Sequence, residues 1–262
     1  MRAVDPIPGM VRILALTGLV AAVAGCAALG DAPRDQAEPE ALYGAAAQAQ
    51  EREAFEDALE HLTVLTEDYP ETPQGRQALL DKAYVRYRLG DHDRAVELAG
   101  AYLEARGDDE EAEADVRYAL HLRAAAAHAQ WDRHPPGPEA ETALARRAFG
   151  FYREVVERFP ESERAEQSMQ RMNRIREDLA EHELALARAR FEADHYAEAA
   201  ERAAWVAEQY PGMDAAGEAL ALQARALERL GREREAEATR RLLEIKHPEH
   251  PQANQAGGTI AD

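Results

Sequence analysis

The sequence predicts an all-α protein built from about five repeated pairs of helices. Alanine, leucine, glutamate and arginine dominate it, and aromatic residues make up only 6% of its 262 positions, a composition that favours helices. No stretch shows the sustained polar and apolar alternation that strands require. A recurring pattern of alanine and proline divides most of the chain into similar segments, and this pattern predicts a repeat architecture.

The first 25 residues are typical of a bacterial lipoprotein signal peptide. Arg12 precedes an apolar run, 13–24, that is shorter than the roughly 20 residues of a membrane-spanning helix. Small residues then lead to Cys26, the only cysteine of the chain. The tetrad 23–26, Val-Ala-Gly-Cys, resembles the lipobox at which a cysteine becomes the acylated first residue. We therefore expect lipid on Cys26, and translation that begins at Met10.

The rest of the chain divides into three parts by composition. Residues 26–39 are small, polar and proline-containing, and they predict a lipidated flexible tether. Residues 40–248 carry the helical repeats. Residues 249–262, which end in "QAGGTIAD", predict a disordered tail.

The charge balance argues against a nucleic-acid partner. The chain has 31 basic and 50 acidic residues, a formal net charge of −19. Affinity for nucleic acid comes largely from the neutralisation of phosphates by basic side chains, which this excess of acid opposes. We interpret the acidity as a source of solubility.

Four segments place a proline twelve residues after an alanine. In the first three of these four segments the proline follows an aromatic residue. A fifth segment has the alanine without the proline. The alanine–proline pairs are Ala58 and Pro70, Ala148 and Pro160, Ala199 and Pro211, and Ala236 and Pro248, with Ala95 in the fifth segment.

This pattern predicts helices that approach closely at the alanine and end at the proline. Bulky residues four and seven positions after the alanine, such as Leu62 and Leu65, are expected to face the core. A proline cannot continue the helix and so begins the next unit. The pattern resembles the tetratricopeptide repeat, in which neighbouring helical pairs stack into a solenoid. Longer steps between some alanines predict an inserted turn at 131–139 and an extended helix at 161–193.

Few residues suit catalysis or metal binding. Ser162 follows a helix-ending proline and is expected to cap the next helix. The acidic run 107–115 lacks the ordered ligands of a calcium loop, and His247 and His250 are expected at the surface. The sequence therefore predicts neither an enzyme nor a metal site, and no cofactor apart from the lipid on Cys26.

Residues 171–211, with Arg171-Met172 near the start, His182-Glu183 in the middle and Tyr210-Pro211 at the end, resemble the BamD family of outer-membrane protein assembly lipoproteins. Two further segments, "QALLDKAYVRYRLGDHDRAVELA" and "ARRAFGFYREVVERFPESERAEQSMQRM", match the family in register, and region 99–138 departs from it. The matching positions are Arg171, Met172, Arg176, Leu179, Ala180, His182, Glu183, Tyr196, Arg202, Tyr210 and Pro211.

The resemblance implies a lipid-anchored protein on the periplasmic face of the outer membrane. Its implied partners are the periplasmic domains of the barrel-forming subunit BamA, other Bam lipoproteins and unfolded outer-membrane β-barrel proteins. Arg202 aligns with the family arginine implicated in the BamA contact.

A stacked helical repeat also forms a concave surface that can hold an extended peptide. Tyr84, Tyr87 and Arg88 occupy a first-helix position that suits such a substrate-binding surface, although the tyrosines would equally suit the core.

A different function remains open from the residues alone. A periplasmic tetratricopeptide lipoprotein could instead scaffold cell-wall or division enzymes. The TolA-binding division coordinator has similar repeats, but it is soluble and carries an N-terminal coiled coil. Here Cys26 leads directly into a tether without heptads, which disfavours that coordinator.

Overall fold

The computed structural model describes residues 39–106, 110–133 and 140–253. These residues form ten α-helices, one short 3-10 helix at Glu110–Ala112 and no strand, so the all-α prediction is confirmed. The helices are α1 (Pro39–Glu51), α2 (Phe55–Asp68), α3 (Pro73–Arg88), α4 (His92–Arg106), α5 (Glu113–Asp132), α6 (Ala140–Arg158), α7 (Glu163–Glu192), α8 (Tyr196–Gln209), α9 (Asp214–Arg229) and α10 (Glu233–Lys246). The signal peptide, Cys26, nearly all of the tether and residues 254–262 lie outside the described residues.

Successive helices pack as five pairs of the tetratricopeptide type, as the repeat predicts. α1 packs with α2, α3 with α4, α5 with α6 and α9 with α10, and α7 packs with α8 through a shared apolar cluster. The thirty-residue helix α7 corresponds to the extended helix expected at 161–193. The chain divides into two compact units, residues 1–169 and 170–262. None of the described helices is both long and apolar enough to cross a bilayer.

The repeated alanines lie at the centre of the packing. All five have no exposed surface. In four of the pairs the alanine is the fourth residue of the second helix, and its N–H donates to the residue just before that helix. The absence of a longer side chain here lets the first turn of the second helix lie directly on its neighbours. The five fully buried alanines are Ala58, Ala95, Ala148, Ala199 and Ala236.

Each proline of the pattern is the second residue of a tight turn. In the first of these turns the carbonyl of Tyr69 accepts from the N–H of Thr72 at 3.1 Å, with Pro70 between them. Proline has the φ that this position of a turn needs. The same hydrogen bond recurs from Ser162 to Phe159, from Met213 to Tyr210 and from His250 to His247.

A hydroxyl caps the next helix after two of these turns. The Oγ1 atom of Thr72 accepts from the N–H of Gly75 at 3.0 Å. Ser162 accepts from the N–H of Ala165 at 3.1 Å, which confirms the capping role predicted for it. Each cap satisfies one of the backbone donors that the first turn of a helix leaves without a partner.

The geometry of α1–α4 recurs 141 positions later in α7–α10. The alanines Ala58 and Ala95 correspond to Ala199 and Ala236. The backbone of the short loops matches as well, because residues with positive φ recur at the same offset. These residues are Glu53 (57°) with Asp194 (62°), and Gly90 (80°) with Gly231 (74°).

One matched position differs sharply in polarity between the two sets. Asp81 in α3 is only 2% exposed, and its carboxyl group is hydrogen-bonded to Tyr43 of α1 and to Gln77. Leu184 of α7 occupies the position that matches Tyr43, and Leu222 of α9 occupies the position that matches Asp81. Both leucines are buried in one apolar cluster. Burial raises the pKa of Asp81 to about 7, although its hydrogen bonds act in the opposite direction.

We predict that Gly75→Ala destabilises the first unit. A Cβ atom at Gly75 would lie 1.9 Å from the backbone carbonyl oxygen of Tyr69, so the start of α3 would have to move. The matched turns hold Ala165 and Ala216, which indicates that a wider turn is attainable. We therefore expect a moderate cost of about 1–3 kcal/mol, measured by chemical denaturation. Gly100→Ala is the control, because nothing lies within 4 Å of its added Cβ, and the gain in helix propensity should stabilise α4 by about 0.5–1 kcal/mol.

We predict that Asp81 makes the stability of the first unit depend on pH. Its pKa rises from the ordinary value of 3.8 to about 7 on folding, so between these values the folded state holds more protons than the unfolded state. Stability should then fall as pH rises from about 4 to about 7, by on the order of 4 kcal/mol. Denaturation midpoints of the wild type and of Asp81→Asn at pH 5 and pH 8 test this.

The Asp81→Asn variant should lose most of this difference between the two pH values. Asp57→Asn, at an exposed position of α2, is the matched control and should keep the wild-type difference. Equal pH dependence of the wild type and Asp81→Asn would contradict the prediction.

Candidate partner-binding surfaces

Arg202 lies on α8 at the edge of a buried apolar face. Ala199, Ala203 and Val206 form this face, and all three have no exposed surface, as the helical spacing predicts. The side chain of Arg202 is 38% exposed. The aliphatic part of an arginine at such an edge can pack on the helix while its guanidinium reaches solvent.

The guanidinium of Arg202 is bonded to Glu183 of α7. Its Nη1 atom donates to Oε2 of Glu183 at 2.8 Å, and the glutamate side chain is 15% exposed. The pair connects two helices of the second unit and fixes the direction of the arginine. Sequence reasoning identified Glu183 only as part of a family pattern, because nothing in the local sequence indicates a contact nineteen residues away.

The three residues expected to form a substrate-binding surface lie in the last turns of α3 but differ in burial. Tyr84 is only 3% exposed and belongs to the core of the first unit. Tyr87 is partly buried, and its ring centroid lies 5.4 Å from that of His92. Arg88 is partly exposed. Tyr87 and Arg88 are therefore the two that a ligand can reach most readily.

Arg88 holds together three parts of the first unit. Its guanidinium donates to the hydroxyl of Tyr84 at 2.7 Å and to Oε1 of Glu53 at 2.8 Å. It also lies 4.6 Å from the ring centroid of Phe55. Partial burial opposes the charged form, but the bonds to Glu53 and Tyr84 outweigh it and raise the pKa of Arg88. Arg88 thus has a structural role beside the proposed binding role.

A similar arrangement of arginine and aromatic residues occurs in the second unit. Arg229 of α9 lies 4.4 Å from the ring centroid of Tyr196, and one turn earlier Arg225 lies 4.8 Å from the ring centroid of Phe191. Sequence reasoning missed this cluster. The signal that reveals it is the offset of 141 residues, since Arg229 corresponds to Arg88 and Tyr196 to Phe55.

The expectation that His247 and His250 lie at the surface is wrong. His247 is 8% exposed, and only 10% of the His250 side chain is exposed. The turn after α10 brings the chain back over α9, where both rings pack against Gly217. Ala253 is buried in the same region, so the ordered chain continues beyond the predicted start of the tail.

The described residues contain no group of three His, Cys, Asp or Glu side chains placed to hold a metal ion. The acidic run 107–115 is described only from residue 110 onward, where it forms the short 3-10 helix and the start of α5.

Curated proteins similar to this chain match it over most of its length. Outer membrane protein assembly factor BamD of Haemophilus influenzae is 27% identical over 240 residues, which cover 89% of this chain and 90% of that protein. The protein of the same name from Neisseria meningitidis serogroup A is 28% identical over 259 residues, covering 92% and 93%.

A solved structure with related features is a thermophilic TPR protein of Thermus thermophilus. It is 13% identical, with a TM-score of 0.39, and the match covers 84% of this chain and 96% of that one. The family model described as "Outer membrane lipoprotein", YfiO, matches residues 35–242. Because that match spans most of the chain, including the five helical pairs up to α10, the chain belongs to the YfiO family of outer membrane lipoproteins.

Proposed function

We propose that this chain is the outer-membrane lipoprotein subunit of the β-barrel assembly machinery. In this role it scaffolds BamA and helps to recognise and insert outer-membrane β-barrel proteins. The observation that carries the proposal is similarity, over about nine-tenths of the chain, to proteins named outer membrane protein assembly factor BamD. No comparison favours the alternative scaffold for cell-wall or division enzymes.

Attachment to the membrane is proposed to come from lipid on Cys26. The cysteine follows an apolar run and small residues in the order that a lipoprotein signal requires. Several acyl chains on one residue give stable anchoring, since each buried methylene adds about 0.8 kcal/mol. The helical region would then lie on the periplasmic face of the outer membrane, joined to it by the tether 26–39.

The contact with BamA is proposed to involve Arg202. Glu183 holds one guanidinium nitrogen, Nη1, and this bond orients the planar group while more than a third of the side chain remains exposed. An oriented guanidinium suits a carboxylate, because its planar fork can bind both oxygens. The proposed partner is an acidic residue of the last periplasmic domain of BamA.

Recognition of unfolded barrel proteins is proposed at α3. Tyr87 and Arg88 would contact an extended segment, while the buried Tyr84 holds Arg88 through its hydroxyl. Among the first helices of the pairs, α3 contacts both α1 and α5 in the first unit, which supports a continuous surface there. Binding alone performs this role, so we propose a protein without catalytic activity and without a cofactor.

We predict that Arg202→Glu weakens the binding of BamA by about tenfold or more. The substitution places a negative charge beside the proposed carboxylate of BamA and beside Glu183. Loss of one partner of a buried charge pair costs about 2–5 kcal/mol, and a more exposed pair costs less. Co-purification and the affinity for the isolated periplasmic domains of BamA measure the effect, and circular dichroism should show unchanged helicity.

The swap Arg202→Glu with Glu183→Arg separates the two contacts of this arginine. It restores the ion pair between α7 and α8 but leaves the wrong charge toward BamA. We expect the swap to remain as weak as the single variant. Wild-type binding by the swapped protein would mean that Arg202 acts only through Glu183, and would remove it from the interface.

We predict that the mature protein begins at a lipidated Cys26. Mass spectrometry of the N-terminal peptide from membranes should give the mass of an acylated cysteine, and the protein should fractionate with the outer membrane. Cys26→Ala should leave the helical region folded but no longer membrane-bound. A soluble, unmodified N-terminus in the wild type would contradict the anchoring proposal.

A further inference from the structure

A groove in the second unit lies between the end of α7 and the exposed face of α9. It has a volume of about 330 Å³, and Tyr196 at the start of α8 lines it. We call it the α7–α9 groove and define it by the six residues that carry the argument: Arg188, Phe191, Asp194, Tyr196, Arg225 and Arg229.

Two arginines of α9 are held in this groove by aromatic rings. Arg225 and Arg229 lie one helical turn apart, so their side chains occupy the same face. The guanidinium of Arg225 lies 4.8 Å from the ring centroid of Phe191, and that of Arg229 lies 4.4 Å from the ring centroid of Tyr196. A guanidinium placed over a ring keeps its N–H donors at its edge, where a carboxylate can accept from them.

The charges of the groove are neutralised unevenly. Arg188 is paired with Glu218 at 3.0 Å. Arg229 lies 3.8 Å from Asp194, whose carboxylate already accepts from the hydroxyl of Tyr196. Arg225 is exposed and has no ion pair with any described residue. Glu192 also lines the groove, so three carboxylates accompany its three arginines. Arg225 is the arginine of the groove whose guanidinium is left without an ion pair among the described residues, and Arg229 beside it is only weakly paired.

The matched site in the first unit has its donors satisfied within the protein. Tyr84 and Arg88 occupy the positions that correspond to Arg225 and Arg229. There the arginine donates to the tyrosine hydroxyl and to Glu53. Since the same helical geometry forms with a tyrosine at this position, the fold does not require Arg225.

We propose that the α7–α9 groove binds an extended segment of a partner protein that carries one carboxylate side chain, seated on Arg225 and Arg229. The residues of α9 in the groove run from Glu218 to Arg229, which is about 16 Å of helix. That length matches roughly five residues of extended chain.

The charge of the whole chain limits the ligand further. With a formal net charge of −19, the protein repels a long acidic run at a distance. A segment with a single carboxylate among uncharged residues avoids most of this repulsion and still pairs with Arg225. This site goes beyond the proposed function and does not depend on the contact between Arg202 and BamA.

A short blocked peptide tests the site in the mature protein. The probe is acetyl-Ala-Leu-Glu-Phe-Ala-amide, and its counterpart has Gln in place of Glu. We expect titration of the Glu peptide to shift the NMR resonance of the Arg225 Nε–Hε group, and we expect the Gln peptide to bind at least about tenfold more weakly. Equal affinities for the two peptides, or no binding of the Glu peptide at millimolar concentration, would overturn the proposal.

Substitutions at two arginines locate the effect. Arg225→Tyr copies the residue of the matched site and should reduce affinity for the Glu peptide by about tenfold or more. Arg174→Gln is the control, because this arginine of α7 is 63% exposed and lies outside the groove. The affinity of this variant for the Glu peptide should equal that of the wild type. Unchanged binding by Arg225→Tyr would overturn the assignment. The assay contains no BamA, so its failure is distinguishable from failure of the proposed function.

Discussion

The fold depends on the close approach that a single alanine allows in each helical pair. An alanine side chain is a single methyl group, so the second helix can lie directly on its neighbours at that point, which in four of the pairs is its first turn. All five of these alanines are completely buried. A larger residue would separate the helices and expose the leucines and valines packed around them, such as Leu62 and Val206, which are also fully buried.

The turns after α2, α6, α8 and α10 set the direction of the helix or chain segment that follows. Each begins with a residue bearing an aromatic ring, whose carbonyl accepts from the residue three positions later. Thr72 and Ser162 add a hydroxyl cap, whereas the third turn has Met213 and no side-chain cap. The backbone hydrogen bond is therefore the constant part of the turn, and the cap is an addition that individual repeats can lose.

Local features of the sequence predicted the repeats well, but they did not predict contacts between residues that are distant in the chain. Helical spacing, the alanines, the prolines and the cap at Ser162 follow from residues close together in the chain. The bond between Arg202 and Glu183 and the burial of His247 depend on which segments meet in the fold. Composition and local spacing do not predict which segments meet. The burial of Asp81 was not predicted for a related reason, because a polar residue on a helix is ordinarily expected at the solvent-exposed face.

Comparison of the matched positions separates what the fold requires from what it merely tolerates. Buried alanines occupy both sets, so the packing requires them. Leu222 satisfies the position that holds Asp81, so the buried acid is not needed for packing. Tyr84 of the first unit occupies the position that Arg225 occupies in the second, so packing does not need the charge of Arg225 either. Because neither residue is explained by stability, each is best understood through what it adds, namely a titratable contact in the first unit and a carboxylate-binding cation in the second.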